Sequence, residues 1–307
     1  MTTFGDGVYQ YGGVPVGGAK YSNPFATHWF VDGENGSAHQ SGKKPTEALD
    51  TIDGAVQKMG VGDVLYIKPQ AYVVATGHAR YTECATIDLA QSDLSIIGTG
   101  YPRSNEFGVR MKATSTEVYC FDISGPSCHI ENIGLFSDGT ATNTLLARNN
   151  GATNTQRGSD GITLYNVNSK GDPLKIQGGQ AARVIDCVFY NAAYQLIIAD
   201  SGVSGYNQQI RGCSFLNSNG TAPTHPPLYF GGANVYGLWV DHCFFGEAPT
   251  TAAYFIQGGA AQSDGIISNC VFDTVNLDWD DDVSLGGGAI YMVGCYDQTG
   301  LVDGTAD

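Results

Sequence analysis

A six-residue phrase recurs in the second half of this 307-residue chain, and it limits the possible folds more than any other feature. The copies are Val184–Phe189, Ile210–Phe215, Val240–Phe245 and Ile267–Phe272, each with Cys at its fourth position and Phe at its sixth. Cys187, Cys213, Cys243 and Cys270 are spaced by 26, 30 and 27 residues, and Cys295 follows 25 residues later. A second phrase, a short apolar run closed in most copies by Gly, stands upstream of each: Leu174–Gly179, Leu196–Ala199, Leu228–Gly232, Tyr254–Gly259 and Ile290–Gly294. Fainter copies lie at Ser95–Gly98, His129–Leu135 and Thr163–Val167. Self-similarity at this period is the signature of a stacked repeat architecture.

Each period holds strands of three to five residues between Gly, Asn or Asp turns, and strands so short make no sheet alone. Stacking solves this: when each coil lies on the last, equivalent strands pair in parallel at about 4.8 Å, and like side chains form internal columns. The sequence therefore predicts an all-β, single-stranded right-handed parallel β-helix of about eight coils, each of roughly 20 to 34 residues. Cys187, Cys213, Cys243, Cys270 and Cys295 are expected in one interior column, and Phe189, Phe215, Phe245 and Phe272 in another, because residues two apart on a strand share a face. The cysteines read as small buried hydrophobes, since no CxxC or Cys/His metal spacing is present. Cys→Ser in the column is expected to cost about 1–3 kcal/mol through an unpaired buried hydroxyl.

Composition agrees: 42 Gly, 17 Tyr and 13 Phe with only 15% charged residues describe strands and tight turns, not a helical bundle or a disordered chain. A formal charge of −15 argues against nucleic acid as a partner. No secretory signal or apolar membrane span stands out, so neither export nor membrane insertion is expected, and synthesis in a cytoplasm is. Three parts are expected: residues 1–27 as an extended N-terminal arm, 28–70 as a cap with a short amphipathic helix, and 71–307 as the β-helix. The helix is read over Thr46–Met59, where Ile52, Ala55, Val56 and Met59 share one face. At the other end of the stack, Tyr296–Asp307 is the candidate cover for the exposed strand edge.

Candidate chemistry is sparse. Acidic side chains are densest at Asp278, Asp280, Asp281 and Asp282, which offer carboxylates for hydrolysis or Ca²⁺, but the pattern matches no calcium loop and reads first as a solvated turn. The six histidines form no motif with an acid or nucleophile, and His242 reads as a turn residue. No Walker loop, GxSxG elbow or HExxH helix is found; no cofactor and no metal are expected. Tyr165, Tyr190, Tyr194, Tyr206, Tyr229, Tyr236 and Trp239 fall near strand ends, where exposed rings could stack on sugars; Tyr229, Tyr236 and Trp239 are the glycan-binding candidates.

Two segments carry a family resemblance. Trp29–Gly33, Asn35-Gly36-Ser37, Thr51–Ala55 and Gly62–Pro69 together resemble the entry segment of pectate-lyase-like β-helix proteins. The opening Phe4–Gly18 is similar to the start of β-helix proteins encoded by tailed bacteriophages. The resemblance implies either a polysaccharide lyase or hydrolase, or a virion protein of tailspike, head-fibre or decoration type, commonly a homotrimer. The paired-Asp and Gly-His-Gly signatures of pectin hydrolases are not found as a set, and only 15 Lys and Arg are available to bind a polyuronate. The first expectation is thus a structural virion protein that decorates the capsid or forms a head fibre. Phe4, Tyr9, Tyr11, Val14, Pro15 and Val16 would dock on capsid or other virion proteins, with a host glycan as a further partner. The alternatives are a tailspike depolymerase or lyase and a non-catalytic carbohydrate-binding adhesin.

Overall fold

The computed structural model describes residues 10–11, 14–15, 26–70, 72–73, 77–78, 81–100, 108–113, 119–137, 143–149, 157–190, 194–199, 203–216, 225–231, 234–246, 255–258, 263–273, 283–284 and 290–306. From Ala85 onward the chain repeats one path, giving a strand in turn to each of three parallel ladders. The first ladder runs through Ala85–Ile87, Phe121–Ile123, Leu145–Ala147, Leu174–Ile176, Leu196–Ile198, Leu228–Phe230, Ile256–Gly258 and Val283–Ser284. The second climbs from His28–Val31 and Val64–Ile67 through Ser95–Gly98, His129–Glu131, Thr163–Tyr165, Arg183–Ile185 and Gln209–Arg211 to the long strands Val235–Asp241, Ser263–Ser268 and Ile290–Asp297. The third joins Val109–Lys112, Ile133–Phe136, Asn168–Lys170, Val188–Tyr190, Ser214–Leu216, Phe244–Phe245 and Val271–Phe272. Strands that share a ladder come from successive coils, which is the connectivity of a parallel β-helix.

The interior is built from the columns the repeat predicts. Cys187, Cys213, Cys243, Cys270 and Cys295 are all buried. Each thiol donates weakly to a carbonyl of the preceding coil: Leu164 O at 3.6 Å, Val184 O at 3.4 Å, Ile210 O at 3.6 Å, Val240 O at 4.0 Å and Ile267 O at 3.7 Å. Beside them Phe189, Phe215, Phe245 and Phe272 stack nearly parallel, with centroids 5.0, 4.7 and 4.9 Å apart. The carbonyls correct one expectation, because a serine hydroxyl in this column would meet an acceptor and not go unpaired.

The residue before each cysteine turns the chain from the second ladder into the third. Asp186, Gly212, His242, Asn269 and Gly294 all have φ between 52° and 65° there, as do Asn132 and Asn166 in earlier coils, within a range of 51° to 65° for the whole column. Left-handed backbone favours Gly and, among the other residues, Asn, Asp and His, which explains why this position varies among those types while the residue after it is Cys, Ile or Val. A Cβ at Gly212 would lie 2.2 Å from Asp186 Oδ1, so a larger residue there would have to displace the Asp186 carboxylate.

The N-terminal end departs from the sequence reading. The helix spans only Ile52–Val56, preceded by a 3₁₀ turn at Pro45–Glu47. Between them Ala48–Asp50 is drawn out because Leu49 pairs with the strand His28–Val31: Leu49 N donates to Phe30 O and Asp32 N to Leu49 O, both 2.9 Å. Thr51 then caps the helix, accepting from Gly54 N. Ile52, Ala55, Val56 and Met59 are buried as their spacing predicts. Glu83 accepts from Ile52 N at 3.0 Å and Asp53 N at 2.8 Å, and burial pushes its carboxyl above the usual range despite those bonds. Asp63 gathers Trp29 Nε1, Thr27 N and Gly60 N, each at 2.9 Å. Burial opposes its ionisation, but these donors outweigh burial and its pKa falls.

Two further corrections concern the ends of the chain. Ile290–Gly294 belongs to the second ladder, with Met292 beside Ile267, and Val283–Ser284 fills the first-ladder position, because the chain goes from Val283 to Met292 in nine residues (292−283) where the coil before goes from Ile256 to Ile267 in eleven (267−256). Gly300–Ala306 then turns back antiparallel on Ile290–Asp297, so the tail does lie along the final strand edge. Within the arm, Gln10–Tyr11 pairs antiparallel with Val14–Pro15, so it is not extended throughout. The sequence between the two pairs, Gly12-Gly13, is of the kind two-residue hairpins use.

Candidate carbohydrate-binding face

The strand Val235–Asp241 turns two aromatic side chains outward within four residues. Its backbone takes a left-handed step at Gly237, φ 65°, which breaks simple alternation: Val235, Leu238 and Val240 are buried while Tyr236 and Trp239 both face outward. Asn207 makes the same step one coil earlier at φ 54°, so Tyr206 lies directly against Tyr236, rings stacked at 5.4 Å. The Gly237 N–H donates to the Asp264 carboxylate of the next coil. Tyr206, Tyr236 and Trp239 thus form an outward platform over two coils, with Gln209 beside Trp239 in register.

Charged groups border the platform. The Arg211 guanidinium lies 4.5 Å from the Trp239 ring centroid, within cation–π range. Arg211 Nε is 3.5 Å from Asp241 Oδ2. Asp241 is almost fully buried and also accepts from Ser268 Oγ at 2.8 Å, Asn269 Nδ2 at 3.0 Å and His242 Nδ1 at 2.9 Å. Burial disfavours its charge, yet the bonds from Asn269, His242 and Ser268 prevail and bring its pKa down to about 2. A carboxylate so engaged orients its neighbours. It is a poor general acid at neutral pH, which would need a raised pKa.

The candidates from the sequence separate on this map. Tyr236 and Trp239 share one strand, and Tyr165 and Tyr206 lie on the same outer side of the second ladder system. Tyr229 sits on the first ladder in another cluster, tilted against Tyr194 at 4.8 Å, which itself stacks on His225 at 4.4 Å. Tyr190 lies on the third ladder. Asp278, Asp280, Asp281 and Asp282 fall outside the described residues, as do Phe4, Tyr9 and Val16; the backbones of Tyr11, Val14 and Pro15 form the small hairpin. His242 occupies the turn it was read as, but it also holds Asp241, a pairing that adjacency in sequence did not reveal. Arg211, Asp241, Ser268 and Asn269 were not read as site residues. Their signal was available: Arg211, Asp241 and Ser268 hold the second position of the repeated phrase, polar in these three copies where the earlier copy has Ile185. Among the described residues no group of three or more His, Cys, Asp or Glu could hold a metal ion, and no helix is long and apolar enough to cross a membrane.

No protein-family model and no curated protein sequence matches the chain. Among solved structures it is similar to a rhamnogalacturonan lyase, with a TM-score of 0.44 and 15% identity over 82% of this chain and 69% of that one. It is also similar to the pectin methylesterase from Aspergillus niger in deglycosylated form, with a TM-score of 0.46 and 12% identity over 90% of this chain and 87% of that one. ORF18 of Geobacillus virus E2 aligns with a TM-score of 0.39 and 12% identity over 81% of this chain and 58% of that one. The parallel β-helix assignment rests on the ladders themselves.

Proposed function

We propose that the protein is a non-catalytic structural component of a tailed-bacteriophage virion, whose β-helix binds a host-surface glycan on the Tyr206–Tyr236–Trp239 face. The observation that carries the glycan reading is the aromatic platform bordered by fixed polar groups. Pyranose rings offer C–H faces that stack on aromatics and hydroxyls that need oriented donors and acceptors, and Gln209 and Arg211 stand beside Trp239 to supply them. Asp241, ionised and enclosed by donors, favours binding over acid-catalysed cleavage at this face. The virion reading is supported by the resemblance of Phe4–Gly18 to phage proteins, with residues 1–27 as the docking arm, and it includes the homotrimer which that resemblance implies. The same proposal takes the stack as right-handed, in about eight coils, with the Ile52–Val56 helix closing its N-terminal end.

The test is calorimetric titration of the full chain with polysaccharide from candidate host surfaces, alongside an assay for released oligosaccharide. Trp239→Ala is expected to weaken binding about tenfold, ~1.4 kcal/mol, while Tyr229→Ala leaves it unchanged and no product appears. Equal affinity for both variants and the wild type would remove the face. Product release that stops on Asp→Ala change at 278–282 would replace the proposal with the depolymerase. Deletion of 1–27 is expected to abolish binding to capsids lacking the protein while leaving glycan binding intact.

A further inference from the structure

Outward side chains change character along the stack. On the second ladder one column reads Arg183, Gln209, Trp239, Ile266, Tyr291, and the next reads Arg211, Asp241, Ser268, Val293. On the third ladder the outward column reads Ser214, Phe244, Val271, Tyr296, and Leu301 then pairs with Tyr296 from the returning strand. Ile266, Tyr291, Val293, Val271, Tyr296 and Leu301 are each between 41% and 59% exposed. They gather on the last two coils, on both flanks of the turn at Asn269 and Gly294.

We infer that this C-terminal corner is a self-association surface, covered by a second copy of the chain. Six half-exposed apolar side chains offer on the order of 500 Å², so two facing copies bury on the order of 1,000 Å² in all, where specific interfaces begin. An apolar patch of that size is at the upper end of what a single chain exposes, and patches of this kind are often interaction sites. Charge selects the occupant. The chain carries −15 overall, yet among the described residues the columns of the corner present no free carboxylate, since Asp241 is buried under its donors. Asp264, Asp273 and Asp297 lie at the rim, engaged with Gly237 N, Gln298 Nε2 and the Thr299 and Gly300 N–H groups respectively. An apolar centre with a polar rim is the anatomy of a protein interface, and a neutral centre is what two acidic copies need in order to approach. A basic partner would instead call for carboxylates in the centre.

The corner adjoins the Tyr206–Tyr236–Trp239 platform, Ile266 lying beside Trp239 in register, and the inference rests on the self-assembly in the proposed function by naming its surface; glycan titration of the Val271→Lys/Val293→Lys variant, which leaves the Trp239 column untouched, tells failure of one reading from failure of the other. The test is sedimentation velocity of the full chain at micromolar concentration, comparing wild type with an Ile266→Lys/Tyr296→Lys double variant. The wild type is expected to sediment as a multiple of the chain mass, and the double variant, at least hundredfold weaker in association, as a single chain with an unchanged melting curve. Lysine makes the sign informative: it lowers the net negative charge, so association limited by charge repulsion alone would tighten, whereas a desolvated apolar contact breaks. Should that variant not fold, Val271→Lys/Val293→Lys probes the same flanks. Val61→Lys, exposed at the opposite end, is expected to change nothing. A wild type that stays single at 100-fold higher concentration, or a folded double variant that keeps the wild-type mass, overturns the inference.

Discussion

The entry region, residues 26–98, and the repeating stack from Ile162 to Cys295 solve the same burial problem in opposite ways. In the stack one solution is copied: a thiol over a carbonyl, a ring over a ring, a left-handed residue over its equivalent. In the entry region only the second-ladder strands are copied, and individual side chains meet polar groups outside them: Asp63 for Trp29, Thr27 and Gly60, Glu83 for the helix N-terminus, Gln91 Nε2 for Val56 O. A stack can reuse its geometry because each coil is the template for the next; its first turns have no template, so side chains must supply the hydrogen bonds.

The comparison predicts that damage spreads in the stack and stays local at the entry. Phe215→Ala removes a ring held between Phe189 and Phe245, and is expected to cost about 3–5 kcal/mol, read as a lower urea midpoint for the whole chain. A loss confined to amides of the neighbouring coils in hydrogen exchange would break the cooperative picture. Asp63→Ala leaves the buried Trp29 indole N–H without its acceptor and is expected to cost about 1–3 kcal/mol. Faster exchange should be confined to residues 27–31 and 60–64, with the Cys and Phe columns keeping their protection. Cys213→Ser, which retains Val184 O as an acceptor, is expected to cost about 1 kcal/mol, well below the ring deletion; a loss as large as that of Phe215→Ala would show that thiol packing, not the acceptor, sets the column.

The smallest effect is one of slope. The Asp241 pKa is depressed from 3.8 to about 2, so its stabilisation is complete above pH 3.8 and is lost as pH falls toward 2. Asp241→Asn should therefore flatten the acid limb of the stability curve in that window and change little in its shape near neutrality. Glu83 runs the other way, since its raised pKa makes the folded state hold the proton more tightly and its burial penalty fade as the pH drops. The net acid response of the entry region is accordingly shallower than Asp63 alone would give.

Much of the stack was legible in the sequence because a period-two pattern repeated at 25 to 30 residues puts its like residues on one face of each coil. The columns Cys187 to Cys295 and Phe189 to Phe272 follow from that alone. The helix ends were not legible, because the pairing of Leu49 with Phe30 and Asp32 is a tertiary hydrogen bond that competes with helical propensity. Nor was the last repeat, whose Ile290–Gly294 looked like one phrase and serves as the other once the loop before it shortens. The candidate face shows the same division. Aromatic residues near strand ends named Tyr236 and Trp239, but only the left-handed step at Gly237 turns both outward, and only stacking of successive coils brings Arg211 over Trp239 and Ser268 and Asn269 onto Asp241. The sequence by itself determined the columns, since those depend on spacing along one strand; the tertiary structure decided which side chains meet across coils, since that depends on register between strands about 27 residues apart, where loop length sets the partner.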